Sequence, residues 1–120
     1  VEINRIKKID SLNKFAKKIL SSNELKYLDN LNDSKKVYYL AKQFAGKEAI
    51  AKAIGIGITK DSSFSEIEIL RDKNGKPYFA SIGKLKTHID NLGITKTHVS
   101  LSDEKEYAVA LAILEKIWKI

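Results

Sequence analysis

FAGKEAIAKAIGIG, from Phe44 to Gly57, decides the fold, because it reads as a helix that stops at paired glycines. Leu40, Phe44, Ala51 and Ile54 recur at near-helical spacing and present one face to a core. Ala41, Ala45 and Ala49 form a second stripe of small side chains, against which another backbone can lie close. Gly55 and Gly57 suit a helix C-terminus and the turn after it. Lys47, Glu48 and Lys52 sit between the stripes. Glu48 and Lys52 are four apart and project from one face. Two readings stand: an ordinary surface ion pair, or a carboxylate that ligates a metal beside phosphate-binding ammonium groups.

Around this helix, 120 residues fit one domain, long enough to bury a core without staples. Cysteine is absent, which excludes disulfides, thiolate metal sites and a cysteine nucleophile and fits a reducing cytoplasm. No apolar run reaches the length of a membrane span and no signal-peptide pattern opens the chain, so no membrane partner is expected. The chain starts at Val1-Glu2-Ile3 as though inside a strand, and a few residues upstream are expected to be missing. Net charge is +7, and Arg5 and Arg71 are the only arginines. Such a surface suits an anionic partner: nucleic acid, a phosphorylated small molecule or an acidic protein. Phe44, Phe64, Tyr78, Phe79 and Tyr107 are not interleaved with lysines as a stacking platform requires, and zinc-finger spacing is absent. No nucleic-acid partner is therefore expected, although a small basic nucleic-acid-binding domain remains the rival from another class.

In chain order, Val1–Ile6 reads as the end of a strand entering a helix. Ile9, Leu12, Phe15, Ala16, Ile19 and Leu20 continue a helical apolar pattern, with Asp10-Ser11 as a possible break and Lys14, Lys17 and Lys18 outside the apolar face. Ser21 to Glu24 offers an N-cap for a short helix over Glu24 to Leu31. After a polar turn, Lys35 starts the long helix. Thr59 to Ser63 reads as a polar loop. Phe64–Leu70 and Pro77–Ile82 read as a hairpin around the Asp72–Gly75 turn. Lys84–Leu92 reads as a helix ended by Gly93, and Thr97–Ser102 as a strand with His98 and Ser100 opposite Val99 and Leu101. Glu106–Ile117 is open on pattern alone: alanine content favours helix, the alternation of large and small side chains favours a strand.

Five pieces then occur in a fixed order: VEINRI at Val1–Ile6, FAGKEAIAKAIGIG at Phe44–Gly57, FSEIEI at Phe64–Ile69, NGKPY at Asn74–Tyr78 and HVSLSDEKEYAVA at His98–Ala110. In this order they resemble the holo-acyl-carrier-protein synthases, the small trimeric 4′-phosphopantetheinyl transferases, across essentially the whole chain. The resemblance implies an α+β fold, one antiparallel sheet packed with helices, and a homotrimer with its sites at subunit boundaries. It also favours a strand for the C-terminal segment. The implied reaction moves the 4′-phosphopantetheine arm of coenzyme A onto a serine of apo-acyl carrier protein in fatty acid biosynthesis, supported by Mg²⁺. Adenosine 3′,5′-bisphosphate leaves.

Carried over residue by residue, the resemblance makes Glu48 the helix-borne metal ligand and Lys52 the lysine facing the pyrophosphate. The family's second metal-ligand aspartate falls two residues before Val1. Lys35 and Lys36 fall near the coenzyme A 3′-phosphate, and Lys76 and Pro77 belong to the GKP turn beside the nucleotide. Lys47 and Gly55 flank the metal and lysine positions and are expected to bind the cofactor. His98, Ser100 and Ser102 match a strand that lines the site across a subunit boundary. Arg5 matches an arginine that meets the acidic carrier protein, and Lys14, Lys17 and Lys18 would extend that surface. Two departures stand out: Gln43 replaces an arginine found in some relatives, and Asp103 a frequent histidine. A relative that binds coenzyme A or carrier protein without catalysis is the remaining alternative.

Overall fold

The computed structural model describes residues 1–55 and 64–116. The second glycine of the helix stop, Gly57, and the expected polar loop Thr59–Ser63 lie outside them. Helices α1 (Ile3–Lys7), α2 (Leu12–Ile19) and α3 (Ser22–Asp29) lead into the 22-residue α4 (Asp33–Ile54). A single 3₁₀ turn (Phe64–Glu66) precedes β1 (Ile67–Arg71) and β2 (Pro77–Ser81), then come α5 (Gly83–Leu92), β3 (Ile94–Asp103) and β4 (Ala108–Lys116). Local chemistry sets most boundaries. The Asn32 carboxamide caps α4 by accepting from the Lys35 amide at 3.0 Å, which starts the helix two residues before the expected Lys35. Gly55, at φ 84°, ends it in the left-handed conformation that a side chain would disfavour. A capping box at Ser21 and Glu24 starts α3 at Ser22, so this helix lies two residues earlier than its apolar pattern suggests.

The α+β class holds, but the expected single antiparallel sheet is two separate antiparallel pairs, β1–β2 and β3–β4. The first strand starts at Ile67, because Phe64–Glu66 is taken up in the 3₁₀ turn. There Glu66 turns its carboxylate to the Leu85 amide (3.0 Å) at the start of α5. The C-terminal segment is a strand: Ala108, Ala110, Ala112 and Leu114 face inward, while Val109, Leu111 and Ile113 face out. Alternation decided over alanine content because small inward residues let the strand lie close to α4.

α4 is the axis of the molecule. Its N-terminal half packs with α1, α2 and α3 around Ile3, Ile6, Ile19, Leu28 and Leu40. Its C-terminal half contributes Ile50 and Ala51 to a second cluster with Ile67, Ile69, Leu85, Ile89 and Val99. Phe44 bridges Phe15 and Phe64, with ring centroids 5.6 and 5.5 Å apart. Being covered on several sides explains why the helix carries two stripes rather than one. The closest approach is at Gly46, where a Cβ would sit 2.5 Å from Ile69 Cδ1 and 3.0 Å from Leu101 Cδ2. Among the described residues, no helix is long and apolar enough to cross a membrane.

Candidate active site

The last turns of α4 present Glu48 half-buried and Lys52 exposed, just before the left-handed Gly55. The two side chains do not form the ordinary surface ion pair that their spacing allows. Among the described residues neither has a hydrogen-bond or ion-pair partner, so the Glu48 carboxylate is left for something else. The described residues contain no cluster of three or more His, Cys, Asp or Glu side chains able to hold a metal. That donor set fits a cation that accepts one or two carboxylates and fills its shell with water and phosphate oxygens, as Mg²⁺ does. It does not fit a metal that needs a full protein cage.

Lys47 takes no part in this surface, which corrects the expectation that it binds the cofactor. Its side chain is fully buried and its ammonium lies 2.7 Å from Glu24 Oε1. It also donates to the carbonyls of Phe64 (2.9 Å) and Ile67. One residue before Glu48 on the helix means about 100° of rotation, enough to turn it from the surface into the core. Burial holds its pKa below the ordinary lysine value, with Glu24 opposing the shift. Glu24 is equally buried and saturated: it also accepts from the Ser21 amide (2.9 Å), the Ile69 amide (3.3 Å) and Gln43 Nε2.

The other expected site residues fall in separate places on one chain. Lys35 and Lys36 lie in the first turns of α4, thirteen and twelve residues before Glu48, so about 20 Å away along the axis for Lys35. Lys76 and Pro77 stand at the β1–β2 turn, where Asp72 Oδ1 accepts from the Asn74 amide (2.8 Å) and the Lys76 amide (2.9 Å). His98, Ser100 and Ser102 point away from α4, opposite Ile113, Leu111 and Val109 on β4. His98 Nε2 sits 3.0 Å from Glu115 Oε1, both exposed. Arg5 on α1 and Lys14, Lys17 and Lys18 on α2 are all exposed. One chain therefore joins Glu48 to Lys52 on one helix face, while Lys35 and Lys36 lie at the other end of α4.

The sequence matches the family model of the 4′-phosphopantetheinyl transferase superfamily over residues 1–112. The chain belongs to this superfamily. It is 47% identical over 120 residues to the holo-[acyl-carrier-protein] synthase of Wigglesworthia glossinidia brevipalpis, covering 96% of this chain and 86% of the relative. Among solved structures it resembles the holo-[acyl-carrier-protein] synthase of Neisseria meningitidis, with TM-score 0.85, 38% identity and coverage of 97% and 93% of the two chains. It also resembles a holo-(acyl-carrier-protein) synthase of Bacillus anthracis solved in complex with CoA (3′,5′-ADP), with TM-score 0.80, 38% identity and coverage of 98% and 91%.

Within this superfamily member a further cleft, of about 470 Å³, was not legible in the sequence. It lies where α3, α4 and β1 meet the end of β3, and it gathers Lys35, Lys42, Arg71 and Asp103 against Tyr27 and Tyr39. Arg71 Nη2 donates to Gln43 Oε1 at 2.9 Å, and the guanidinium lies 5.6 Å from the Tyr39 ring centroid. Lys42 pairs loosely with Asp103 at 3.7 Å. Lys42 and Arg71 are 29 positions apart along the chain and Arg71 and Asp103 are 32, so no local spacing joins them; the resemblance singled out Lys35, Gln43 and Asp103 one by one but not Arg71 or their meeting in one cleft.

Proposed function

We propose that this chain transfers the 4′-phosphopantetheine arm of coenzyme A to a serine hydroxyl of apo-acyl carrier protein. The serine oxygen forms a bond to the β-phosphorus, the pyrophosphate P–O bond breaks, adenosine 3′,5′-bisphosphate leaves and the serine proton passes to solvent. The reading rests on superfamily membership and on the named activity of relatives that match nearly the whole chain. The observation in this molecule that carries it is the Glu48 carboxylate without a partner among the described residues, one helical turn from Lys52.

Phosphoryl transfer asks mainly for positioning and for charge neutralisation. Held by Glu48, Mg²⁺ would supply neutralisation of the pyrophosphate. Lys52 places an ammonium on the same helix face, where it stabilises the charge that grows on the leaving phosphate. Gly55 keeps the helix end free of a side chain beside them. Lys76 and Pro77 bound the nucleotide from the hairpin turn.

The site is completed by a second copy in a homotrimer. The 3′-phosphate and the pyrophosphate of one coenzyme A hang from the same ribose, so they cannot span the two ends of one α4. Lys35 and Lys36 of one copy and Glu48 and Lys52 of another can share a single donor. The outer face of β4 supports this arrangement, because Tyr107, Val109, Leu111 and Ile113 stand 49, 59, 61 and 47% exposed in a row. His98, Ser100 and Ser102 lie on that same face and would come to a neighbour's site when it is covered. Arg5, Lys14, Lys17 and Lys18 form the docking surface for the acidic carrier protein.

Intact-protein mass spectrometry tests the reading. Apo-acyl carrier protein mixed with coenzyme A, Mg²⁺ and the full-length protein should gain the mass of one phosphopantetheine group, and Glu48→Gln should abolish the gain. Coenzyme A bound by a folded protein without any mass gain leaves a binding relative instead.

A further inference from the structure

The exposed apolar row on β4 runs through Val109, Leu111 and Ile113 and ends at Glu115 on the same side of the strand. The register of the ribbon sets His98 opposite Ile113, so His98 and Glu115 are diagonal neighbours on that outer face. They are joined there, Nε2 to Oε1 at 3.0 Å, and both are exposed in one chain. Lys96 stands opposite Glu115 in the register, yet among the described residues the carboxylate is paired with His98 and not with Lys96. Lys116, the next residue on β4, falls on the alternate side of the strand. Ser100 is the other neighbour of His98 on β3, and it carries no charge. Helices α4 and α5 pack on the opposite face of the ribbon, where Ile50, Leu85 and Ile89 meet Val99, so their charged side chains do not face His98.

We propose that the His98–Glu115 pair couples assembly of the homotrimer to pH, so that the subunits hold together more tightly as pH falls through the histidine range. The proposal rests on the homotrimer reading above. A second copy that covers the apolar row also covers the pair at its end, because both lie on one face. Histidine is the side chain whose charge ordinarily changes between about pH 5 and 8. With His98 charged, the Glu115 carboxylate enters the interface with its counterion in place. With His98 neutral, the carboxylate leaves water without one, and a closed trimer repeats that cost at three equivalent sites. Assembly therefore takes up protons, which strengthens it as pH falls and weakens it as pH rises. A site completed by a second copy is then present in fewer molecules at high pH and low protein concentration.

Sedimentation velocity over nanomolar to micromolar protein, at about pH 6 and about pH 8 and one ionic strength, tests the coupling. The midpoint concentration for dissociation should be about ten-fold higher at the upper pH, the scale that one unit of altered proton affinity at each histidine supplies. Leu111→Ala trims the apolar row without adding charge and brings the midpoint into range where the parent assembles too tightly. On either background, His98→Gln and Glu115→Gln should each remove the pH dependence, and Lys96→Gln should keep it. Circular dichroism identifies folded variants, and Glu115→Gln decides alone where His98→Gln does not fold. A trimer with the same midpoint at both pH values, or one that tightens as pH rises, overturns the coupling and leaves the trimer reading standing. A pH dependence that survives both substitutions also overturns it. A monomer at every concentration and pH, on the parent background, brings down the trimer reading and the coupling together.

Discussion

Lys47→Met is the substitution that separates a core role for Lys47 from a cofactor-binding one. It removes the only ion-pair partner of the fully buried Glu24 among the described residues and leaves the Phe64 and Ile67 carbonyls without their ammonium donor. Stranding a buried charge in this way costs about 3–5 kcal/mol. For a domain of this size that corresponds to a fall in Tm of roughly 10–20 °C, measured at fixed protein concentration by calorimetry or by following ellipticity. Glu24→Gln combined with Lys47→Met should recover at least half of the loss. The amide oxygen can still accept from the Ser21 amide, and no charge is left stranded. The donor KM of protein kept below its lowered Tm should change little, since the ammonium does not reach the surface. A Tm within about 2 °C of the parent, together with a raised KM for coenzyme A, would refute this account and return Lys47 to cofactor binding.

Three further outcomes are expected. Leu111→Glu puts a charge in the middle of the exposed apolar row on β4, and light scattering should show a folded monomer; an intact trimer would remove that face from the interface. Burial, reinforced by the Glu24 charge, raises the Tyr39 phenol pKa above its ordinary value of 10.0. Stability from this group is full below the ordinary value and is lost as pH climbs above it, so urea melts above about pH 10 should show a shallower decline for Tyr39→Phe than for the parent. Lys47, with its lowered pKa, runs the opposite way and is common to both proteins, so the difference isolates Tyr39. Finally, carrier-protein affinity should fall steeply between low and physiological salt, and removing Arg5 and Lys14 together should flatten that slope.

The elements of this protein were largely written into local sequence. Asn32 and Gly55 bracket α4, Ser21 and Glu24 start α3, and Asp72–Gly75 turns the first hairpin, because each is satisfied by neighbours a few residues away. The motif order also carried the superfamily, and with it Glu48 and Lys52 as a pair on one helix face. What local spacing could not carry was direction and partnership. Lys47 and Glu48 are adjacent letters of one motif, yet one ammonium is buried against α3 and β1 while the next carboxylate faces outward. The alternating segment on β4 was open between helix and strand on pattern alone; the family resemblance favoured the strand, and packing against α4 supplies the physical reason. Gln43, Arg71 and Asp103 meet only because α4, β1 and β3 converge, and a contact made across so many residues of chain leaves no period for a sequence to show. Side chains within a turn of one another are set by helix geometry alone; those brought together by packing are decided by the whole fold.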